Sequence, residues 1–423
     1  MNISNSKMYN YEESRLRAWK HIAPLFSNTE EARSLIFNLP IKHSIELPTG
    51  WNLIQMPEWA EWVVPNNSGG LFLPCFSTQT IFEDYPWWRA INFYMSLEFE
   101  TNHENLYGPI QSNSKLLGVK STKAFDHAWV NRIVAFLKSW CALRAGKSIE
   151  QLFGEMPIAT VILTHDLDAI EMTPVLKLKQ AVSRIISKQY LTASRILFSK
   201  RKGNFLEVLL QVEKEFGFKS KWFFYAKPKK SHKFSRHFLD PEYSLDNSCV
   251  VSLINELNDL GNKIGLHTSF NSWGNRDMLS SERQDLTAVC GIELYDVRQH
   301  WLRFSLKKTW VAQQAAGLRT DFTLGFNDRL GFRASTALPI DLGEGEFQAI
   351  STVIMDSNLF CKDYRSNNQR QLAIDKVLNE LEEFGGHVAI NWHPHTLGEP
   401  YGWLDTYSYL LSSLKTRRIE VVI

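Results

Sequence analysis

From residue 156 onward the chain repeats one pattern, a short apolar run followed by a segment of helix length. Eight such runs occur, at 159–164, 221–225, 263–267, 294–298, 318–323, 350–355, 387–392 and 419–423. Short apolar runs bounded by turn signals read as strands buried on both faces. Their separation by helical segments predicts parallel strands joined by crossover helices. An open wound sheet and a barrel both satisfy the pattern, and a barrel would carry its chemistry at the C-terminal strand ends.

Residues 1–152 lack that alternation. Segments 14–22 and 30–37 read as helices, WNLIQM and GGLFLPCF as extended, and 86–100 and 128–143 as amphipathic helices. This predicts a smaller mixed α/β N-terminal domain, with Gly154 and Pro157 marking the boundary before an α/β unit over 156–423. A chain of 423 residues that is 44% hydrophobic and 22% charged can bury such cores, which excludes a disordered or fibrous polypeptide. A net charge of +2 supplies no field directed at nucleic acid.

The five cysteines are scattered without a C-x-x-C pair, which argues against a disulfide framework and for a reducing compartment. No apolar stretch of signal-peptide or membrane-spanning length stands out, so the expected location is the cytoplasm. One stretch is lopsided. Between Glu171 and Glu207 lie eight basic residues and no acidic one, and Val182, Ile185, Ile186, Ile196 and Leu197 recur at helical spacing. Two readings stay open: a packed helix with a solvated basic side, or a peripheral contact of residues 177–202 with anionic lipid or another polyanion at the inner face of the membrane.

The polar residues at the strand ends carry the chemistry. The first run ends Thr164-His165-Asp166-Leu167-Asp168. In extended backbone the two carboxylates share a face, and each would raise the other's pKa unless a cation intervened. A divalent metal resolves the conflict, one Asp ligating and the other remaining ionised as a base beside water; a helix cap with a solvated Asp is the plainer alternative. Three further runs bring histidines to strand ends: Gly265-Leu266-His267-Thr268-Ser269, Arg298-Gln299-His300 and Trp392-His393-Pro394-His395. Their convergence with the D-x-D points to a mononuclear metal site of the nitrogen and oxygen type that zinc favours.

Taken in order, these motifs, with Asp321-Phe-Thr-Leu-Gly-Phe and Gly331-Phe-Arg, resemble the polysaccharide deacetylases, the NodB-like carbohydrate esterases, and specifically their members with an extra N-terminal region. The resemblance spans about residues 156–423. It implies a distorted (β/α) barrel and metal-dependent hydrolysis of an N- or O-acetyl group on a sugar, here of a surface glycan or its precursor, with lipid linkage left open. Carried over by residue, it implies Asp166 as general base, Asp168 and His267 as metal ligands, and Arg298 as partner of the base. His393 would protonate the leaving group, with His395, Asp321 and Arg333 on the substrate side.

The sequence departs from the family where H-x-x-x-H is usual, because Asn271 stands four residues after His267. A carboxamide is a poor zinc ligand beside imidazole, so His300 is the expected third ligand. The R-x-P form of the third motif is also absent. Two rival functions remain at this point: a glycan-binding protein on the same barrel, and a metallohydrolase of another amide or ester.

Overall fold

The computed structural model describes residues 10–76, 81–109, 112–117, 122–171, 173–186, 190–198, 204–226, 239–342, 346–361, 363–398 and 401–423. Two strands, β1 (Gly50–Ile54) and β2 (Leu71–Cys75), pair antiparallel near the N-terminus. The main sheet contains β3 (Ala159–Leu167), β4 (Lys221–Tyr225), β5 (Lys263–His267), β6 (Asp296–Arg298), β7 (Thr320–Asp321), β8 (Ile340–Asp341), β9 (Gln348–Ala349), β10 (Thr352–Met355), β11 (His387–Asn391) and β12 (Ile419–Val422). Its order is β10-β11-β3-β4-β5-β6-β7-β9-β8, with β12 beside the start of β3. Every pairing is parallel except β8 with β9.

β9 and β10, near opposite ends of this path, are joined directly by the chain. β9 pairs with β7, and β10, which begins three residues after β9 ends, pairs with β11. Between them the Ile350 amide donates to the Asp321 carbonyl at 2.8 Å, and the Ala389 amide to the Ser351 carbonyl at 2.9 Å. One extended segment therefore bridges both edges and curls the sheet into a distorted barrel. Ile162, Phe223, Phe322, Ile350 and Ala389, drawn from around that ring, form a separate interior cluster.

The alternation along β3 explains its continuous hydrophobicity. Ile162, Thr164 and Asp166 face the barrel interior, while Val161, Leu163 and Leu167 join the core shared with the outer helices. Helices Ser248–Asp259, Arg276–Cys290 and Asn367–Phe384 start on the capping side chains of Asn247, Asn275 and Ser366.

The N-terminal region differs from expectation in two places. Segment 86–100 is not one helix: Trp87–Met95 and Glu98–Tyr107 are separated by Leu97 in the left-handed region, with φ 51°. Helix Trp129–Ala145 is not amphipathic but buried on all sides from Trp129 to Ala142. Its two buried cations are met internally. Arg132 grips Glu380 through Nε and Nη2 at 2.7 and 2.6 Å, and Lys138 Nζ donates to the Leu25 carbonyl at 2.7 Å. The resulting core is continuous with the barrel, since it includes Phe304, Leu324, Phe326, Leu338 and Phe384.

Gly265 on β5 is required by the interior packing. A Cβ there would lie 2.6 Å from the fully buried Phe223 ring. We expect Gly265→Ala to lower stability by about 1–3 kcal/mol, the range for overpacking a core. The midpoint of urea unfolding should fall with an unchanged slope.

Candidate active site

Parallel strands point their C-terminal ends the same way, so the residues following β3, β5, β6, β10 and β11 converge on one face of the barrel. They line a cleft of about 950 Å³ that contains Asp166, Asp168, His267, His300, Asp356 and His393. That volume sits at the upper end of small-molecule sites, which run to about 1,000 Å³.

Asp166 and Asp168 do share a face, and His165, immediately before them, takes the other. Its Nε2 lies 2.8 Å from Glu213 and its Nδ1 2.7 Å from the Trp392 carbonyl, so this histidine belongs to the helix-packed outer layer. Asp166 is held by two donors, Arg298 Nη1 to Oδ1 at 2.8 Å and Asn391 Nδ2 to Oδ2 at 3.0 Å. Burial favours the neutral acid, but Arg298, followed by His267 and His393, outweighs it and keeps the Asp166 pKa below the ordinary value.

Asp168, His267 and His300 each turn a donor atom to a common point, all within 4.8 Å of one another. His267 Nε2 lies 3.4 Å and His300 Nε2 3.7 Å from Asp168 Oδ1. That oxygen is buried and lacks an aligned hydrogen bond among the described residues. Both imidazoles are oriented from behind. His267 Nδ1 lies 3.1 Å from the Arg298 carbonyl, which can only accept, and His300 Nδ1 lies 3.3 Å from Asp240 Oδ1. A proton on each Nδ1 leaves the Nε2 lone pair facing the site, the arrangement of ligating histidines. The donor set and the orphaned carboxylate oxygen fit a divalent cation. Asn271 lies elsewhere: it is exposed, and its Oδ1 is 3.4 Å from Arg303 Nη1.

His393 faces Asp168 across the cleft. Its Nε2 is 3.6 Å from Asp168 Oδ2 and 3.9 Å from Asp166 Oδ2. Behind it, Asp356 binds Nδ1 at 2.7 Å and accepts from the His393 amide at 3.0 Å and from Thr396 Oγ1 at 2.8 Å. Burial disfavours the charged ring, but Asp356, with Asp168 and Asp166, raises its pKa to about 10. In its charged form the ring carries a proton on Nε2, on the side of Asp166 and Asp168.

Three residues of this machinery escaped the sequence reading. Asp356 follows an apolar run directly, the same signal that singled out the D-x-D. Asn391 lies within the run that ends Trp-His-Pro-His. Trp301 carries no sequence signal at all. It stands at the rim with its backbone at φ 58°, and its indole is 47% exposed while Nε1 donates to the Leu239 carbonyl at 3.0 Å. Tyr401 and Trp403 also line the cleft.

Two expected substrate residues are placed elsewhere, while His395 does line the cleft. Asp321 is fully buried under the barrel end, accepting from Trp310 Nε1 at 2.9 Å, Gln313 Nε2 at 3.0 Å and the Thr323 hydroxyl. Arg333 is also fully buried, forming a bidentate pair with Glu100 at 2.8 Å through both Nε and Nη2. Its guanidinium fastens the N-terminal region to the barrel and has no access to a ligand.

The fold and site therefore define a parallel α/β barrel with a carboxylate–histidine cluster at its C-terminal face. No protein-family model and no curated protein matches the sequence. Among solved structures, the chain is similar to a protein from Mycobacterium smegmatis assigned to the polysaccharide deacetylases, with 16% identity over 62% of this chain and 86% of that one and a TM-score of 0.40. A polysaccharide deacetylase from Bacillus cereus gives 12% identity over 62% and 90% of the two chains, at a TM-score of 0.32. A protein from Bordetella bronchiseptica, assigned to the same group and to O-antigen biosynthesis, gives 13% over 56% and 72%, at 0.30. At scores of this size the likeness adds nothing to what the sheet order and cleft of this chain establish.

The Arg333–Glu100 pair yields a direct test. Removing one partner of a buried ion pair strands the other charge and costs about 3–5 kcal/mol. Glu100→Gln should lower thermal stability by that order, while KM for whatever substrate the protein turns over stays unchanged below the new transition. A raised KM without loss of stability would return Arg333 to substrate binding.

Proposed function

We propose that this protein is a metal-dependent hydrolase that removes an acetyl group, most directly an N-acetyl group, from a sugar of a surface glycan or its precursor. The observation that carries this reading is the placement of Asp166 and His393 beside the Asp168–His267–His300 cluster, each held by its own buried partner. A binding protein needs neither a base kept ionised nor an imidazole kept protonated. The ordered motifs that resemble the NodB-like esterases point to the same chemistry, and the aromatic side chains Trp301 and Tyr401 in the cleft lining suit a sugar face.

In this reading Asp168, His267 and His300 hold the divalent cation, with zinc the best match to two imidazoles and one carboxylate. When bound, such an ion polarises an acyl carbonyl and lowers the pKa of water. Asp166 accepts the proton of the attacking water, and its own pairing with Arg298 and Asn391 fixes which lone pair is available. His393 delivers a proton from Nε2 to the departing sugar nitrogen or oxygen. Asp356 holds the ring in place and stabilises its charge before the transfer.

Acetate release from acetamido-sugar oligomers tests the activity. Chelation should abolish it and added Zn²⁺ restore it. Asp166→Asn should lower turnover by about 10²–10⁴-fold, the usual effect of losing a positioned base, with metal stoichiometry retained. Loss of metal in that variant would make Asp166 a ligand and reverse the two aspartate roles.

The third ligand has its own test. His300→Ala should weaken metal affinity by more than the roughly 10–100-fold that loss of an outer partner causes, whereas Asn271→Ala should leave it unchanged. Competition against a chromogenic chelator measures both. The opposite ranking would assign the position to Asn271.

A further inference from the structure

Helices Pro174–Ile186 and Tyr190–Phe198 form a hairpin beside the cleft, and its two faces differ sharply. The inner seam is made of Ala181, Ala193 and Ile196, packed with Tyr401. The outer side bares Leu178, Val182 and Ile185 at i, i+4 and i+7 of the first helix. On the second helix Leu197 and Phe198 stand one heptad beyond Tyr190 and Leu191, and all four are exposed, Leu191 and Phe198 at 79% each. Isolated exposed apolar residues are ordinary, but seven on one hairpin mark a contact surface.

Charge complementarity identifies the partner. The sequence between Glu171 and Glu207 carries eight basic residues and no acidic one. Lys177 and Arg195 are the basic residues there whose side chains are described; Lys188, Lys200, Arg201 and Lys202 lie outside the described residues. Basic residues combined with bulky apolar ones suit the headgroup region of an anionic bilayer. Helices of 13 and 9 residues extend about 20 and 14 Å, well short of the roughly 30 Å hydrocarbon layer. No helix of the described residues is long and apolar enough to cross a membrane. The hairpin can lie in the interface without spanning.

Thr173, just before the first helix, and Leu176 and Gln180, in its first half, line the cleft. We infer that the hairpin seats the protein on an anionic bilayer surface and brings the cleft mouth beside it, so that the acetylated glycan is met on a lipid anchor. The choice of substrate rests on the function proposed above, but the docking does not.

Flotation of the full chain with vesicles of phosphatidylglycerol and phosphatidylcholine, against phosphatidylcholine alone, tests it. Binding to the anionic vesicles is expected, weakening as salt shortens the screening length. The Leu191→Ser/Phe198→Ser variant should bind at least about tenfold more weakly, given the apolar area it withdraws from the interface. A Lys200→Gln/Arg201→Gln/Lys202→Gln variant, which removes three charges and no apolar residue, should also bind more weakly. Acetate release from a soluble acetylated oligosaccharide should be unchanged in both, which reports intact folding. Equal binding to both vesicle types, or none, overturns the inference. So does a lipid-free dimer that Leu191→Ser/Phe198→Ser converts to monomer, because a second copy would then own the face. Vesicle binding by a protein that releases no acetate from any sugar would sink the proposed function and leave the docking standing.

Discussion

The structure is organised around one guanidinium inside the barrel. Arg298 is fully buried, yet each of its five N–H groups has an acceptor. Nη1 donates to Asp166 and Asn391, Nη2 to Thr164 and Thr352, and Nε to the Phe322 carbonyl, all between 2.8 and 3.1 Å. These acceptors come from β3, β10, β11 and the residue after β7, so one side chain ties together the strands whose edges the 348–355 segment joins. Phe223 and Phe322 flank the guanidinium, with ring centroids 4.7 and 5.9 Å from it. A charge so placed is tolerable because Asp166 neutralises it, and Arg298 in turn is the strongest of the cations that keep Asp166 ionised. Fold closure and the ionisation of Asp166 thus share one interaction.

The rest of the site follows from parallel-strand geometry. The side chains of successive strand residues alternate, so Asp166 and Asp168 enter the cleft while His165 is turned outward to Glu213. Each functional group is then fixed from behind by a buried acceptor: His267 by the Arg298 carbonyl, His300 by Asp240, His393 by Asp356. The acceptors determine which ring nitrogen faces the cleft. They do so before any ligand arrives, which is the meaning of preorganisation here.

Much of this was legible in the sequence. The eight apolar runs coincide with β3, β4, β5, β6, β7, β10, β11 and β12, because strands buried on both faces leave an uninterrupted signature. Histidines at the ends of such runs could be grouped because all parallel strands end on one face. What stayed hidden depends on contacts between distant parts of the chain. Arg333 follows a glycine and an aromatic residue as a loop arginine would, and only Glu100, 233 residues earlier, reveals it as a buried clamp. Asp321 likewise sits in a motif at a strand end, but Trp310, Gln313 and Thr323 consume its oxygens. Trp301 owes its position to a left-handed backbone held by Asn327 Nδ2 on its carbonyl at 2.8 Å, which no local pattern announces.

The N-terminal region fills a gap in the barrel's own cover. A (β/α) barrel shields the outer face of each strand with the helix that follows it, yet among the described residues no helix lies between β7 and β10, where only the β8–β9 pair intervenes. The N-terminal chain occupies that side. The Phe332 amide donates to the Phe125 carbonyl at 2.9 Å, the Val130 amide to the Ser335 carbonyl at 3.0 Å, and Thr336 Oγ1 to Asn131 at 3.0 Å. Gly331, with φ 128°, lets these backbones approach, since a Cβ there would stand 2.3 Å from the Phe125 carbonyl oxygen. This explains why helix Trp129–Ala145 is buried on every side: it serves at once as the centre of the N-terminal layer and as the missing outer helix. It also explains the buried pairs Arg132–Glu380 and Arg333–Glu100, each joining one charge from either region. A region that supplies a wall of the barrel holds the strand ends of β7 and β10 in place, and through β10 it fixes Asp356 and the ring of His393.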